Sequence, residues 1–337
     1  MTDSINWGIL GNANIARSCI IPAIQSSHNG KVRALGTRTP SQAVDIANKY
    51  NIQHIYPSYQ AVIEDSEIEA VYNPLPNHLH HEWTIKALKQ GKHVLCEKPL
   101  ACTADEATEM VSTAQHAGLV LMESFSYRFH PRTQRIKEMV KDGSIGKPYL
   151  IRSAFCFNMG DELLQSGDNA RLKPEMGGGA LMDVGCYGVS LARWILDAEP
   201  EKVQAQALYH SGGVDQHFIG LLRFPQDVLA TVEASFITAL QQTYTIVGAK
   251  GVIELPHDAY IPWEKDAVFT LRSKDEEIGR EHSTPGADGY KLMIEHFAEV
   301  VRGKASPLYE PEDSIRTMQV LDALAQAART GKSLLVH

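Results

Sequence analysis

Cysteine is scarce in this sequence. Its five cysteines, Cys19, Cys96, Cys102, Cys156 and Cys186, are odd in number and never spaced Cys-x-x-Cys. That argues against a disulfide framework or a zinc ribbon and for reduced thiols in a cytoplasm. No apolar run approaches the ~18 residues of a membrane span. The opening "MTDSINWGIL" has no basic segment before its apolar run, so no secretion signal is expected. Blocks of Lys or Arg are missing too. The formal net charge is -8, from 32 basic and 40 acidic side chains. Nucleic acid and anionic membrane surfaces are therefore not expected partners. There is no internal repeat and no low-complexity tract. What remains is a chain of 337 residues, 44% hydrophobic. That suffices for a sizeable core and for two domains of about 150 residues each.

The first part of the chain alternates strand and helix. "INWGIL" (5–10) is a short apolar run ending at Gly11, and a helical pattern follows. "KVRALGTR" (31–38) reads as a second strand. "TPSQAVDIANKYN" then starts like a helix, with Thr39 as N-cap and Pro40 in the first turn. "AVYN" (70–73), "HVLCE" (93–97) and "LVLMES" (119–124) are further strands, separated by helices at 81–91 and 104–118. Such units predict a doubly wound parallel sheet, with ligands beyond the carboxyl ends of its strands. Gly11, Thr37–Arg38, Asn73–Pro74 and Glu97–Lys98 lie at those ends. After about residue 125 strand-like runs dominate: 147–159, 203–210, 217–224, 229–236, 243–255 and 267–273. A helix at about 178–196 precedes most of them, and two more follow near 288–303 and 311–330. The fold class expected is α/β: a Rossmann domain at 1–124, then an α+β domain at 125–337 with a large, mostly antiparallel open sheet. The last helices are free to pack back on the first domain.

"GILGNANIA" places Gly11-x-Ala13-x-x-Ala16 where a dinucleotide fingerprint has Gly-x-Gly-x-x-Gly/Ala. Gly11 permits the tight turn and Ala16 close packing of helix on strand. Ala13 adds a methyl where the backbone approaches a pyrophosphate. At the end of the second strand an acid would hold the ribose hydroxyls of NAD, whereas an Arg accepts the 2′-phosphate of NADP. Here Gly36-Thr37-Arg38-Thr39-Pro40-Ser41 offers a guanidinium among hydroxyls and no carboxylate, which favours NADP over NAD.

Three stretches carry a wider resemblance: "NPLPNHLHHEWTIKALKQGKHVLCEKPL" (73–100), "ESFSYRFHP" (123–131) and "GGGALMDVGCYGVSLARWIL" (177–196). Through them nearly the whole chain resembles the glucose–fructose oxidoreductase/inositol dehydrogenase (Gfo/Idh/MocA) family. It is most similar to the branch of NADP-dependent D-xylose 1-dehydrogenases and dimeric dihydrodiol dehydrogenases. Ala13 departs from the family pattern.

The resemblance implies a hydride-transferring enzyme. Lys98 is expected at the reacting oxygen, before a Pro99 that is often cis in the family. Tyr187 stands where inositol dehydrogenases often have His, and is the expected general acid/base. A free phenol titrates near pKa ~10, so a cation such as Lys98 must support it at neutral pH. Asp183, one helical turn earlier, is the expected catalytic partner and binder of a substrate hydroxyl. The cofactor set implied is Gly11, Asn12, Ala13, Asn14, Ile15, Thr37, Arg38, Pro74, Leu75, Asn77, His78, Glu97 and Lys98. Arg128, His130 and Arg171 are candidates for the substrate side, and Tyr290 for the nicotinamide. The "HLHH" run (78–81) lacks the carboxylate or Cys that would complete a metal set, so no metal is expected. The substrate expected is a sugar or diol, and the assembly a homodimer or homotetramer. Two other enzyme outcomes stay open, a nucleotide-sugar ketoreductase and a glycosidase using NAD transiently. A non-enzymatic NADP sensor is the remaining alternative.

Overall fold

The computed structural model describes residues 4–262 and 265–336. The chain forms two compact units. The first is the chain up to Ser126 together with Asp288–Ile315; the second is Tyr127–Ala287 together with the chain from Arg316.

Among the described residues the first unit holds six strands: β1 (Ile5–Leu10), β2 (Gly30–Gly36), β3 (His54–Tyr56), β4 (Ala70–Asn73), β5 (His93–Cys96) and β6 (Leu121–Glu123). They pair in parallel in the order β3-β2-β1-β4-β5-β6. The order reverses beside β1, where Gly11 follows. Every residue of β4 is buried, as a parallel sheet covered on both faces demands. The covering helices are α1 (Ile21–Ser26), α2 (Val44–Tyr50), α3 (Tyr59–Glu64), α4 (His80–Lys89) and α5 (Ala104–Ala117). β3 and α3 are too short to show a period in the sequence. Thr39 is a correction: its side chain makes no capping bond, and the segment begins as a 3-10 turn at Pro40–Ala43.

Among the described residues the second unit holds α6 (Pro131–Lys141), α7 (Asp161–Ser166), α8 (Cys186–Leu196) and a sheet of nine strands. These are β7 (Pro148–Asn158), β8 (Lys202–Tyr209), β9 (Asp215–Phe224), β10 (Val228–Ser235), β11 (Ile237–Gly248), β12 (Gly251–Leu255), β13 (Ala267–Ser273), β14 (Arg280–Thr284) and β15 (Leu334–Leu335). The order is β14-β13-β12-β11-β7-β10-β9-β8-β15, and only β7–β10 is parallel. The expected fold class therefore holds. The run 243–255 is two strands rather than one, split by a turn after Gly248. β8 and β10 alternate buried and open positions, the mark of a sheet covered on one face. α8 packs on β7 and β10. A Cβ on Gly188 would collide with Ser153 Oγ, so only glycine lets the helix approach this closely.

Two helices close the chain, α9 (Gly289–Val301) and α10 (Glu312–Thr330). α9 belongs to the first unit, where Phe297 packs on Trp7 of β1 with ring centroids 4.9 Å apart.

Candidate active site

At the end of β1 the chain must turn at once into a helix. Gly11 does so with φ +108°, and its N–H donates to Gly36 O at 2.7 Å. A Cβ there would lie 3.1 Å from Leu75 Cδ2, so the turn is tight on both sides. Ala13 and Ile15 are partly exposed, Asn14 exposed and Ala16 buried. Asn12 Nδ2 donates to Gln42 O at 2.9 Å, while its buried Oδ1 has no hydrogen-bond partner. Behind the turn the helix opens with a π-turn at Ala16–Ile20, a feature frequent at functional sites. At the end of β2, Thr37 is buried and its hydroxyl accepts from Thr39 N at 3.2 Å. Arg38 is exposed and has no hydrogen-bond or ion-pair partner among the described residues. A glycine turn at positive φ, an unmatched buried amide oxygen and an unspent guanidinium suit the phosphates of a dinucleotide.

Beyond β4 the loop is fixed from inside. Asn73 is fully buried; its Nδ2 donates to His80 O and Thr84 Oγ1, each at 3.2 Å, and its Oδ1 accepts from Leu75 N at 3.3 Å. His80 then joins two loops. Its Nδ1 lies 2.9 Å from Pro99 O and its Nε2 2.7 Å from Leu75 O. Burial and the Lys98 charge push its pKa down to about 4, against the pull of the carbonyls. The ring is thus neutral at pH 7 and donates to one carbonyl only. His81 turns away to Glu109 at 2.8 Å, and the Nδ1 of His78 is buried without a partner. The three histidines of "HLHH" therefore do not converge. Among the described residues no group of three or more His, Cys, Asp or Glu could hold a metal ion.

The Glu-Lys-Pro that ends β5 is held through its carboxylate. Glu97 Oε1 accepts from Tyr72 Oη at 2.6 Å, across the β4–β5 pair. Its other oxygen accepts from Lys98 N at 3.3 Å. Glu97 and Lys98 are half-buried, and the Lys98–Pro99 peptide is cis. Burial, with the Glu97 charge added, raises the Tyr72 phenol well above its usual range, so Tyr72 is a constant donor. Tyr290 sits in the first turn of α9, buried and close enough to Cys19 and Tyr72 to act on both electrostatically.

In the second unit, Asp183 lies in a π-turn, Leu181–Gly185, that leads into α8. Asp215, reaching over from β9, caps this start: its Oδ2 accepts from Leu181 N at 2.7 Å. Burial raises its pKa to about 6. Arg171 Nε donates to Asp183 Oδ2 at 2.6 Å. The Asp183 carboxylate holds the guanidinium still more firmly charged, and Tyr187 adds to the effect. Tyr187 is mostly buried, its ring centroid 5.2 Å from Tyr260, 5.3 Å from Phe155 and 5.9 Å from Tyr127. Aromatic walls on several sides leave its phenol few orientations.

Two substrate-side expectations need correction. Arg128 is fully buried, and its guanidinium donates to Ser190 Oγ at 2.7 Å. His130 caps α6, its Nδ1 accepting from Arg132 N at 3.1 Å, and burial pushes its pKa down to about 4. Both serve the interior. The sequence reading also missed Tyr72, His80 and Asp215. Their partners lie on neighbouring elements, and nothing local marks them.

A parallel sheet with a glycine turn at its reversal point, joined to a one-sided mixed sheet, defines a dinucleotide-binding α/β class. Comparison with known proteins narrows this. Residues 5–125 match the "Oxidoreductase family, NAD-binding Rossmann fold", and residues 133–254 the "GFO/IDH/MocA C-terminal domain". The D-xylose 1-dehydrogenase (NADP(+)) 2 of Haloferax volcanii is 36% identical over 329 residues, 97% of this chain and 98% of that one. A trans-1,2-dihydrobenzene-1,2-diol dehydrogenase of Xenopus tropicalis is 28% identical over 333 residues, 95% of this chain and 97% of that one. The structure of a 3-ketoreductase of Actinomadura kijaniata in complex with NADP and TDP-benzene superposes with a TM-score of 0.89 at 28% identity, covering 96% and 98% of the two chains. The chain belongs to the Gfo/Idh/MocA oxidoreductase family.

Proposed function

We propose that this protein is an NADP(H)-dependent oxidoreductase acting on a hydroxyl or carbonyl carbon of a sugar or related diol. The observation that carries the cofactor choice is Arg38, exposed at the end of β2 with its guanidinium unspent. The NADP(+) in the name of the Haloferax relative and the NADP bound to the Actinomadura enzyme support it. Residues 1–124, joined by α9 in the same unit, are assigned to NADP and the rest of 125–337 to substrate and assembly. Gly11, Asn12, Ala13, Asn14 and Ile15 would meet the pyrophosphate, and Thr37 and Arg38 the 2′-phosphate. Pro74, Leu75, Asn77, His78 and Glu97 would line the rest, with Tyr290 towards the nicotinamide. When bound, the nicotinamide supplies or accepts the hydride.

The chain's own residues handle the proton and the charge. Lys98 stabilises negative charge developing on the reacting oxygen. Glu97, fixed by Tyr72, restrains the chain that carries Lys98. Tyr187 gives or takes the proton of that oxygen, and Asp183 holds a neighbouring hydroxyl. The aromatic packing of Tyr187 supports this reading by limiting the phenol to few positions. We also assign the protein to the cytoplasm, as a homodimer or homotetramer. Leu208, Ile219 and Leu229 are exposed on one face of adjacent strands, a surface suited to a second copy.

The test follows absorbance at the reduced nicotinamide on mixing the protein with NADP+ or NAD+ and a panel of aldoses, polyols and cyclic diols. Turnover with NADP+ that Tyr187→Phe abolishes is expected. Turnover with NAD+ alone would contradict the role of Arg38. Consumption of NADPH with a ketosugar only would favour the ketoreductase reading, which the Actinomadura neighbour supports. A bound cofactor that is never consumed would favour the transient-oxidation reading.

A further inference from the structure

We propose that Asp215 is a positioning residue for the chemical step: its carboxylate, when ionised, sets the turn that carries Asp183 and leads into the helix of Tyr187. The inference rests on the proposed roles of those two residues at the substrate.

The first turn of a helix leaves N–H groups without partners inside the helix. Here they open the π-turn Leu181–Gly185, and Asp215 of β9 takes them. Its Oδ2 accepts from Leu181 N at 2.7 Å. The N–H of Ala180 donates to the same carboxylate, as does that of Asp215 itself. The sequence makes room for this group. Gly179 has φ +119°, and a Cβ there would collide with Asp215 Oδ1. A Cβ on Gly178 would collide with the Arg171 carbonyl. The run "GGGALMD" is thus folded around two acceptors, one of which can lose its charge. The backbone passes the constraint on. Asp183 N donates to Gly179 O at 3.0 Å, and Tyr187 follows four residues later.

A neutral residue would serve the fold better. Enclosure raises the Asp215 pKa to about 6, against its hydrogen bonds and the charge of Arg329 on α10. The folded state therefore prefers the uncharged form, and ionisation at pH 7 works against stability. A charge kept at the expense of stability, beside a proposed site, points to the work of that site. Protonation would undo the arrangement, because three N–H donors would then face a group with a donor of its own. The other charged or titratable groups here are Arg329 and Tyr209, which bond each other, and the paired Asp183 and Arg171. His210 and His217, near Asp215 in the chain, lie 2.7 Å from Leu164 O and 3.0 Å from Ser235 Oγ.

The experiment compares wild type with Asp215→Asn, which keeps the shape and cannot ionise. It reads kcat on the best aldose of the panel with NADP+ from pH 5 to 8, NADPH affinity, melting temperature, and deuterium exchange of peptide 177–187 corrected for the intrinsic effect of pH. A carboxylate titrating near pH 6 predicts that wild-type kcat falls about tenfold between pH 7 and 5, and that protection of 177–187 falls with it. At pH 8 Asp215→Asn keeps about a tenth of the wild-type kcat or less, the loss of one hydrogen bond to a charged group. It shows no break near pH 6 and faster exchange at 177–187. Its NADPH affinity stays within about threefold and its melting temperature does not fall, because the change relieves a buried charge. Wild-type kcat in the variant would overturn the proposal and leave the proposed function standing. A melting temperature or NADPH affinity that falls with kcat would overturn it by making Asp215 a structural residue. A break near pH 6 that survives in the variant would overturn it in favour of a histidine, as would protection of 177–187 in wild type that does not change towards pH 5. No turnover of any sugar by wild type would overturn the proposed function and this inference with it.

Discussion

Replacing Arg38 by Ala separates the two nicotinamide cofactors. The side chain follows β2 directly, is exposed and has no carboxylate to release before it binds phosphate. Nothing in the free protein therefore offsets the gain on binding. A hydrogen bond to a charged group contributes about 1.5–3 kcal/mol, or about ten- to a hundredfold in affinity. Exposure places Arg38 at the lower end, because water and salt screen the pair. NAD lacks the 2′-phosphate and feels nothing. Fluorescence titration of NADPH and NADH into wild type and Arg38→Ala measures the four dissociation constants. The NADPH value rises about tenfold or more, the NADH value stays within about twofold, and the difference shrinks in ~0.5 M salt, where the Debye length falls well below its value of about 8 Å at 0.15 M. An equal weakening of both cofactors would refute the reasoning, since it would make Arg38 a structural residue. So would an NADPH affinity that ignores both the substitution and the salt.

Other substitutions test the frame around the site. Gly11→Val places a branched side chain at φ +108° and 3.1 Å from Leu75 Cδ2. It costs about 1–3 kcal/mol in strain. A lower melting temperature and NADPH binding weakened at least tenfold are expected; wild-type values for both would contradict the turn described. Buried histidines shape the pH dependence of stability. His80 and His130 have folded pKa values of about 4 against 6.5 when free. The unfolded chain therefore binds their protons first, so the stability they confer is full above pH ~6.5 and drains away towards pH ~4. The limit is about 3 kcal/mol for each. Asp215 runs the other way, its folded pKa of about 6 standing above 3.8, so it favours the folded state increasingly as pH falls from 6. Urea midpoints between pH 7.5 and 4.5 decline for wild type and decline less for His80→Gln; parallel curves would contradict a neutral, buried His80.

The legible parts of this protein were those with local periodicity or local chemistry. Strands β1, β4 and β5 are apolar runs that stop at a glycine, a proline or a charged pair, so their carboxyl ends could be read from the sequence. The alternation in β8 and β10 separated the one-sided sheet from the two-sided one. Asp183 and Arg171, 12 residues apart, were both candidates, but their ion pair depends on a loop that folds back on its own carbonyl bonds. Tyr72 and Glu97 are 25 residues apart, and only the parallel register of β4 and β5 brings them together. Asp215 lies 34 residues beyond the helix start that it caps. Arg128 misled because an Arg beside aromatics in a motif reads as functional, whereas here its charge is bonded to Ser190 in the interior.

The central claim is that Lys98 serves the chemical step, beyond any part it has in holding the cofactor. Its direct test is hydride transfer by Lys98→Ala with NADP+ and the best aldose of the panel, alongside NADPH affinity for the same variant. A charged group that stabilises the developing alkoxide accounts for about a hundred- to ten-thousandfold in kcat. A loss of that size with NADPH affinity within about threefold of wild type is the predicted result. Turnover near the wild-type rate would contradict the account.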